Sequence, residues 1–159
     1  MLVYMLCGSI GSGKSTFAGE LAPKIKAQII RTSELLPGKT RLEKQEQGDV
    51  MDKLTNGSWI MKATEELSPT ILKPVIVDCV RHPMQIARIR ERWPNQTVLI
   101  GVRTMNLVEH FEKRHYNADQ TKELLEALKH PLEQNGSELM SLCDIIFDNT
   151  RIKLKDILP

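Results

Sequence analysis

The sequence predicts an α/β protein built on a five-stranded parallel sheet, with helices flanking the sheet on both faces. The first observation is a recurrence of short apolar runs rich in Val, Ile and Leu, which is typical of parallel strands buried on both faces. These runs predict strands at residues 2–7, 27–31, 74–79, 97–102 and 144–147. The second observation is that segments with helical patterning separate the runs. Right-handed crossovers between the strands then produce three layers, helix, sheet and helix.

Capping and breaking residues mark the ends of the predicted helices. The first helix should begin near Lys14 and end near Ala22, because Pro23 follows. Pro83 suits the start of a later helix, since proline is tolerated in the first turn. Beyond the first, we predict helices over residues 41–54, 59–67, 83–93, 106–115, 119–130 and 152–158.

The domain organisation follows from the length of the chain and from the order of its segments. The 159 residues fit one domain with a hydrophobic core. The sequence has no internal repeat, low-complexity tract or linker that would divide it. We therefore expect a single domain over residues 1–159, with a helical insert at about 33–72 and a lid-like excursion at about 104–137.

The composition is that of an ordinary globular protein, with 41% hydrophobic and 26% charged residues. A formal net charge of only +2 gives no global electrostatic reason to bind nucleic acid or an anionic membrane. The three cysteines form no C-x-x-C pair, which favours free thiols in a reducing compartment over structural zinc. The apolar N-terminal run is too short to span a membrane. We therefore expect a cytoplasmic protein with no membrane partner.

The strongest functional motif lies between the first predicted strand and the first predicted helix. Its pattern G-x-x-x-x-G-K-[ST] defines a phosphate-binding loop, or P-loop, and the strand–helix context is the one that the motif requires. The glycines let successive N–H groups point at phosphate oxygens, and the dipole of the helix adds to their attraction. Lys14 would contact the β- and γ-phosphates of ATP, while Ser15 would hold Mg²⁺. The predicted nucleotide-binding residues are Gly8, Ser9, Ile10, Gly11, Ser12, Gly13, Lys14, Ser15 and Thr16.

Two charged residues follow the third predicted strand. Asp78 ends that strand, and ligands of open α/β sheets bind outside the carboxyl ends of the strands. Asp78 should therefore face the same crevice as the P-loop, where a carboxylate can hold Mg²⁺ or take a proton from an acceptor. Arg81 lies three residues further on, and its guanidinium could clamp an anionic group bidentately.

These motifs resemble the nucleoside monophosphate kinase group of P-loop kinases, especially the phage deoxynucleoside monophosphate kinases and dephospho-coenzyme-A-kinase-like proteins. The P-loop is similar to theirs through Thr16. Residues 77–83 resemble the family's Asp-Gly-φ-Arg-x-Pro pattern, with Cys79 in place of the usual glycine. Residues 143–149 resemble the family's last strand and the Asn that follows it. The resemblance implies a P-loop kinase fold, phosphoryl transfer from ATP–Mg²⁺, and a location in the host cytoplasm if the protein is phage-encoded.

The resemblance also implies roles for individual residues on the acceptor side. Arg81 would contact the phosphate of the acceptor, and Gln85 resembles a glutamine that reads the base. Thr40-Arg41, followed by Gln45 and Gly48, resembles the acceptor-domain helix of the phage-type kinases, which makes Arg41 a binding candidate. Arg114 is the candidate for an arginine that embraces the transferred phosphate from the lid.

The chemistry of the acceptor stays open between two alternatives. A nucleoside monophosphate is already ionised and needs no general base, whereas a hydroxyl needs one. Asp78 and Glu34 are the two candidate bases, and Ser33 beside Glu34 is a candidate acceptor contact. The first interpretation is a kinase that phosphorylates a (deoxy)nucleoside monophosphate. The alternative is a kinase of a hydroxyl, such as 5-hydroxymethyluracil in phage DNA.

A DNA acceptor would require a local basic groove despite the low net charge. The residues that could form such a groove are Lys62, Lys73, Arg88, Arg90 and Arg92. A third, less favoured interpretation is a nucleotide-dependent switch or ATPase. The sequence lacks the Asn-Lys-x-Asp signature of guanine-nucleotide switches and is short for a motor ATPase.

Overall fold

The computed structural model describes residues 2–67, 73–104, 117–130, 133 and 136–150. Its strands are β1 Val3–Cys7, β2 Gln28–Arg31, β3 Val75–Asp78, β4 Thr97–Arg103 and β5 Ile145–Asp148. They form one sheet in the order β2-β3-β1-β4-β5, and every neighbouring pair is parallel. The predicted α/β fold with a five-stranded parallel sheet is therefore confirmed.

Five of the six helices in the described residues are predicted by the sequence and follow the strands in the predicted order, whereas the sixth, Gly136–Ser141, is not predicted. The six helices are α1 Lys14–Ile25, α2 Arg41–Thr55, α3 Ser58–Leu67, α4 Pro83–Arg92, α5 Ala118–Leu128 and α6 Gly136–Ser141. A short 3-10 turn, Thr32–Glu34, follows β2. The helices predicted over 106–115 and 152–158 lie outside the described residues. None of the helices in the described part of the chain combines the length and apolar character that crossing a bilayer needs.

The predicted end of α1 at Pro23 is wrong, because the helix continues to Ile25. A proline has no N–H, so it leaves one carbonyl of the preceding turn without its helical partner. That carbonyl belongs to Gly19, which is exposed and can be hydrated instead. The helix ends at Lys26, whose left-handed backbone (φ 53°) lets its N–H donate to the Ala22 carbonyl.

The alternation of side chains along β1 explains why its sequence is apolar throughout. Val3, Met5 and Cys7 point to one face of the sheet, where they pack in the core formed with α3, α4 and α6. Leu6 points to the other face and packs in the core formed with α1, for example against Phe17. Because adjacent residues of a strand face opposite ways, a strand covered by helices on both sides has no position left for a polar residue.

Helix α2 begins at a capping box, a reciprocal pair of hydrogen bonds between the first turn and the residue before it. The Thr40 hydroxyl accepts from Glu43 N at 3.2 Å, and the Glu43 carboxylate accepts from Thr40 N at 3.1 Å. These hydrogen bonds with Thr40, together with one from Lys39 N, lower the pKa of Glu43. The box sets where α2 starts, and α2 then packs against α3 and α5 beside the carboxyl ends of the strands.

Candidate active site

The P-loop follows β1 directly and depends on glycine at several positions. Gly8, Gly11 and Gly13 have φ values of 140°, 80° and 95°, a region that favours glycine. At Gly13 a Cβ atom would also collide with the side-chain amide of Asn149. Asn149 Nδ2 donates to the carbonyl of Ser12 at 3.0 Å. The residue after β5 therefore holds the loop in place, and its contact explains why no side chain fits at Gly13.

Lys14 begins α1 and is 8% exposed. Its Nζ donates to the carbonyls of Gly8 and Ser9, both at 2.7 Å, so the ammonium group lies against the loop. Lys14 lines a cavity of about 200 Å³, here called the loop cavity. Its walls also include Ser15, Thr16, Asp78 and Arg81. The loop cavity therefore combines the hydroxyls, ammonium group and carboxylate that a nucleotide phosphate with a divalent cation requires.

Asp78 is the last residue of β3 and is 5% exposed. Among the described residues, its Oδ1 atom is buried and has no hydrogen-bond partner. The Thr32 hydroxyl donates to the backbone carbonyls of Asp78 and Cys79, both at 3.0 Å, which fixes the main chain here. A buried acceptor without a partner costs roughly 1–3 kcal/mol. Such a carboxylate is therefore suited to receive a metal-bound water or a proton from a bound molecule.

Arg81 is held in place by the residues on either side of its guanidinium group. Its Nε donates to the Cys79 sulfur at 3.2 Å, and its Nη1 pairs with the Glu133 carboxylate at 3.1 Å. The charge interaction with Cys79, reinforced by that with Glu133, raises the pKa of Arg81 although burial opposes the shift. Nη2 of Arg81 donates no hydrogen bond to any residue that the structure describes. The guanidinium is thus fixed and charged, and one of its ends is available to a ligand.

Glu133 connects three parts of the site through one carboxylate. Its Oε2 accepts from the P-loop amide of Ile10 at 3.1 Å, while its Oε1 accepts from Arg81 and, at 3.3 Å, from Gln45 Nε2. Its side chain is only 6% exposed. Sequence reasoning missed Glu133, because no motif surrounds it and its partners lie far away along the chain.

A second cavity, of about 300 Å³, lies between the carboxyl ends of β2 and β3 and helix α2, and is here called the insert cavity. It shares part of its wall with the loop cavity. The residues that line both cavities are Thr32, Ser33, Arg41, Cys79 and Arg81. Four basic side chains and two acidic ones line the insert cavity, namely Lys39, Arg41, Lys44 and Arg81 with Asp52 and Glu123. This excess of positive charge favours an anionic ligand next to the P-loop.

Gln85 has both ends of its side-chain amide bonded within the protein. Its Oε1 accepts from the backbone amides of Arg81 and His82, at 2.8 and 3.3 Å. Its Nε2 donates to the two carboxylate oxygens of Asp52, at 2.9 and 2.8 Å. These contacts position the loop that carries Arg81 and leave the Gln85 amide little capacity to read a base itself.

Asp52 lines the insert cavity and was not identified from the sequence. Its Oδ1 also accepts from Trp59 Nε1 at 2.6 Å. Burial raises the pKa of Asp52, an effect that its hydrogen bonds with Gln85 and Trp59 oppose. A signal was present in the sequence, since Asp52 lies seven residues after Gln45 on the same face of α2.

The remaining predicted site residues differ in their placement. Ser33 and Arg41 line both cavities. Glu34 lines neither of them, because its side chain is 66% exposed and pairs with Arg31 at 3.6 Å. Arg114 lies outside the described residues.

Nearly the whole chain is similar in structure to a gluconokinase, to a shikimate kinase and to a third solved protein. A gluconokinase from Sinorhizobium meliloti 1021 matches with a TM-score of 0.56 and 19% identity, over 98% of this chain and 86% of that chain. TT1252 from Thermus thermophilus matches with a TM-score of 0.58 and 16% identity, over 98% of this chain and 92% of that chain. A shikimate kinase from Acinetobacter baumannii, in complex with shikimate, matches with a TM-score of 0.53 and 10% identity, over 99% of this chain and 88% of that chain.

This chain has the fold of P-loop kinases. The sequence itself matches no family model and no curated protein. At identities below one fifth, the similarity is one of fold, so the choice of acceptor has to be argued from the residues that line the two cavities.

Proposed function

We propose that this chain is an ATP-dependent phosphotransferase that moves the γ-phosphate of ATP to a (deoxy)nucleoside monophosphate. The observation that carries the proposal is the common wall of the loop cavity and the insert cavity. Arg41 and Arg81 line both cavities, so a phosphoryl group that passes from one to the other would remain beside cationic side chains. The resemblance of the P-loop and of residues 77–83 to phage deoxynucleoside monophosphate kinases supports the same acceptor.

The loop cavity is the donor side of this proposal. The phosphates of ATP would lie on the loop amides and Lys14, while Ser15 and Asp78 would hold Mg²⁺. The unpartnered Oδ1 of Asp78 fits this role, because a cation-bound water would supply its missing hydrogen bond. Bound Mg²⁺ would neutralise charge on the β- and γ-phosphates. Lys14 and the arginines, including Arg114 from the lid-like excursion, would stabilise the charge of the transition state by position and electrostatics.

The insert cavity is the acceptor side, and its charge favours a monophosphate. Its excess of basic side chains suits an anionic acceptor. An ionised phosphate oxygen attacks without a general base, and Glu34, one of the two candidate bases, is exposed and lines neither cavity. The arrangement therefore requires no proton transfer from the acceptor.

A hydroxyl acceptor is the second candidate, and the buried, unpartnered oxygen of Asp78 is the observation that favours it. Asp78 could take the proton of a hydroxyl bound beside Arg81. The DNA version of this candidate has less support. Three arginines of its proposed basic groove are already paired with carboxylates: Arg88 with Glu91, Arg90 with Asp144, and Arg92 with Glu65.

The proposal is tested by release of ADP from ATP–Mg²⁺ across a panel of acceptors. The panel contains every ribo- and deoxynucleoside monophosphate, gluconate, shikimate, dephospho-coenzyme A, and duplex DNA with and without hydroxymethyluracil. We expect stimulation by at least one monophosphate and a loss of roughly hundredfold or more in Lys14→Ala. Lys24→Ala, which removes the same charge near the other end of α1, should retain the activity.

Each other result points to a different function. Stimulation only by a hydroxyl compound or by modified DNA would replace the monophosphate with that acceptor and make Asp78 the base to test. Rapid hydrolysis of ATP without any acceptor would instead indicate a switch or an ATPase.

A further inference from the structure

One face of helix α2 forms a continuous side of the insert cavity. Arg41, Gln45, Gly48 and Asp52 follow each other at intervals of four, three and four residues, and all of them line the cavity. They extend over about three helical turns, or roughly 16 Å along the helix axis. Arg41 lies at the end that borders the loop cavity, whereas Asp52 lines only the insert cavity. A ligand with its phosphate at Arg41 would therefore place its opposite end near Asp52.

The Asp52 end of this face offers hydrogen-bond acceptors. A carboxylate has about four acceptor positions on its two oxygens. Within the part of the chain that the structure describes, Oδ1 of Asp52 accepts from Trp59 and Gln85, whereas Oδ2 accepts only from Gln85. Oε1 of Gln85 accepts from two backbone N–H groups, so the side-chain amide of Gln85 cannot be flipped. Its Nε2 therefore remains the donor, and Asp52 remains the acceptor. Oδ2 therefore has capacity for a donor on the ligand.

Gln45 adds a second acceptor on the same face. Its Nε2 donates to the Ala127 carbonyl at 3.2 Å and to Glu133, both of which can only accept, so this orientation of the amide is fixed. Gln45 is 3% exposed, and among the described residues its Oε1 has no partner. A ligand that presents donors would satisfy groups that the protein leaves unsatisfied.

Gly48 leaves the middle of the face without a side chain. Its backbone is helical with no positive φ, so the fold does not require glycine there. Of the described atoms, a Cβ atom at this position would meet only Leu36 Cδ1, at an ordinary contact distance of 3.5 Å. Glycine in a helix interior is less stable than alanine, because its backbone loses more conformational freedom on folding. The glycine is thus unfavourable for the helix, and what it provides is space in the cavity wall.

We propose that Asp52 and Gly48 select the base of the acceptor: the cavity takes an adenine or cytosine nucleoside monophosphate, whose base has an amino group where guanine and thymine have a carbonyl oxygen. The amino group donates to Asp52 Oδ2, and the flat ring lies over the bare backbone at Gly48. Adenine and cytosine present such a donor, whereas thymine presents a carbonyl oxygen at the corresponding position. That oxygen would face the Asp52 carboxylate and be repelled. This assignment rests on the proposed function for the identity of the ligand.

Equilibrium binding of monophosphates without ATP, measured by isothermal titration calorimetry, tests the assignment independently of turnover. We expect wild-type protein to bind dAMP or dCMP roughly ten- to hundredfold more tightly than dTMP. In Asp52→Asn this preference should shrink or reverse, because an amide can donate to the thymine carbonyl. Asp49→Asn removes the same charge from α2 but does not line the cavity, and its preference should match the wild type. Equal affinity for dTMP, or equal behaviour of the two variants, would overturn the assignment.

A second variant keeps the test informative if Asp52→Asn folds poorly. Gly48→Ala should raise the melting temperature by roughly 2–4 °C and weaken binding of every monophosphate by roughly fivefold or more. Gly19→Ala on α1, where a Cβ atom would meet none of the described residues within 4 Å, should raise the melting temperature without changing affinity. Unchanged affinity in Gly48→Ala would show that Gly48 does not contribute to ligand binding.

The failure of this inference differs from the failure of the proposed function. Phosphorylation of dTMP as readily as dAMP and dCMP would retain the function and overturn the base selection. A preference for adenine and cytosine monophosphates in binding, without phosphorylation, would retain the base selection and overturn the acceptor role. If wild-type protein bound no monophosphate, both proposals would be wrong.

Discussion

Cys79 has the largest positive φ among the non-glycine residues that the structure describes. Its φ of 82° lies in the left-handed region, which costs an ordinary L-residue roughly 1–2 kcal/mol. The turn that needs this conformation takes the chain from Asp78 at the end of β3 to Arg81 in the cavity wall. The family pattern that residues 77–83 resemble has glycine at this position, and glycine adopts such a conformation without strain. Here the cysteine provides a sulfur contact to the Arg81 guanidinium instead.

We expect Cys79→Gly to be more stable than Cys79→Ala, by about 0.5–1 kcal/mol in the free energy of unfolding. Both variants lose the sulfur contact, but only glycine relieves the left-handed strain. At an ordinary position the order is reversed, because glycine loses more chain entropy on folding. Urea unfolding of the two variants measures the difference. A more stable alanine variant would show that the turn stores no strain.

At the scale of single elements, the capping box of α2 decides where the face that lines the insert cavity begins. The box fixes Thr40 and Glu43 to each other, and Arg41 lies between them at the first helical position. Glu43 also accepts from Lys39 N at 2.6 Å, so its carboxylate organises the chain just before the helix as well. Removal of this carboxylate would therefore loosen the backbone of three residues that line the insert cavity, namely Lys39, Thr40 and Arg41.

The lowered pKa of Glu43 predicts a sensitivity of stability to acid. Because the hydrogen bonds with Thr40 N and Lys39 N favour the ionised form in the folded state, its stabilisation is present above the unfolded pKa of about 4.3. It is lost as the pH falls below that value, through the lower pKa of the folded state. Urea unfolding at neutral pH and at about pH 3.5 should show a smaller acid-dependent loss in Glu43→Gln than in the wild type. Glu46→Gln, on the same helix but outside the box, is the control, and an equal change in both variants would contradict the prediction.

At the scale of the whole molecule, Glu133 joins parts of the site that the sequence keeps far apart. Its carboxylate binds the P-loop amide of Ile10, the Arg81 guanidinium and the side chain of Gln45 on α2. The donor side and the acceptor side of the proposed reaction therefore share one largely buried anion. If a ligand moved Arg81, the movement would reach the P-loop through the Glu133 carboxylate.

We expect Glu133→Gln to weaken the binding of ADP and of the acceptor together. The amide cannot form the ion pair with Arg81, and leaving that partly buried charge without its partner should cost roughly 1–3 kcal/mol of stability. Calorimetry with ADP and with the acceptor, alongside urea unfolding, measures all three effects. Glu126→Gln on the exposed side of α5 should change none of them. An unchanged affinity for ADP would show that the contact with Ile10 has no bearing on the nucleotide.

Features that depend on neighbouring residues were predictable from the sequence. The apolar runs predict the five strands, and for the central strands β1 and β3 the reason is that a strand covered on both faces must be apolar throughout. The pattern from Gly8 to Ser15 predicts the P-loop, because its glycines and its lysine are close neighbours in the sequence and form the loop locally. The predicted end of the first helix at Pro23 was wrong, because the carbonyl that loses its helical partner belongs to exposed Gly19 and can be hydrated instead.

The sequence by itself thus determined the succession of the five strands and of all described helices but α6, the parallel sheet and the position of the P-loop, because spacing along the chain encodes local conformation. Only the tertiary structure decided which distant side chains meet. Ile10 and Glu133 are 123 positions apart, Arg81 and Glu133 are 52 apart, and Asp52 and Gln85 are 33 apart. No periodicity links such residues, since the packing of the helices on the sheet brings them together. The acceptor side of the site is built from contacts of this kind, and so its chemistry became visible only in the folded chain.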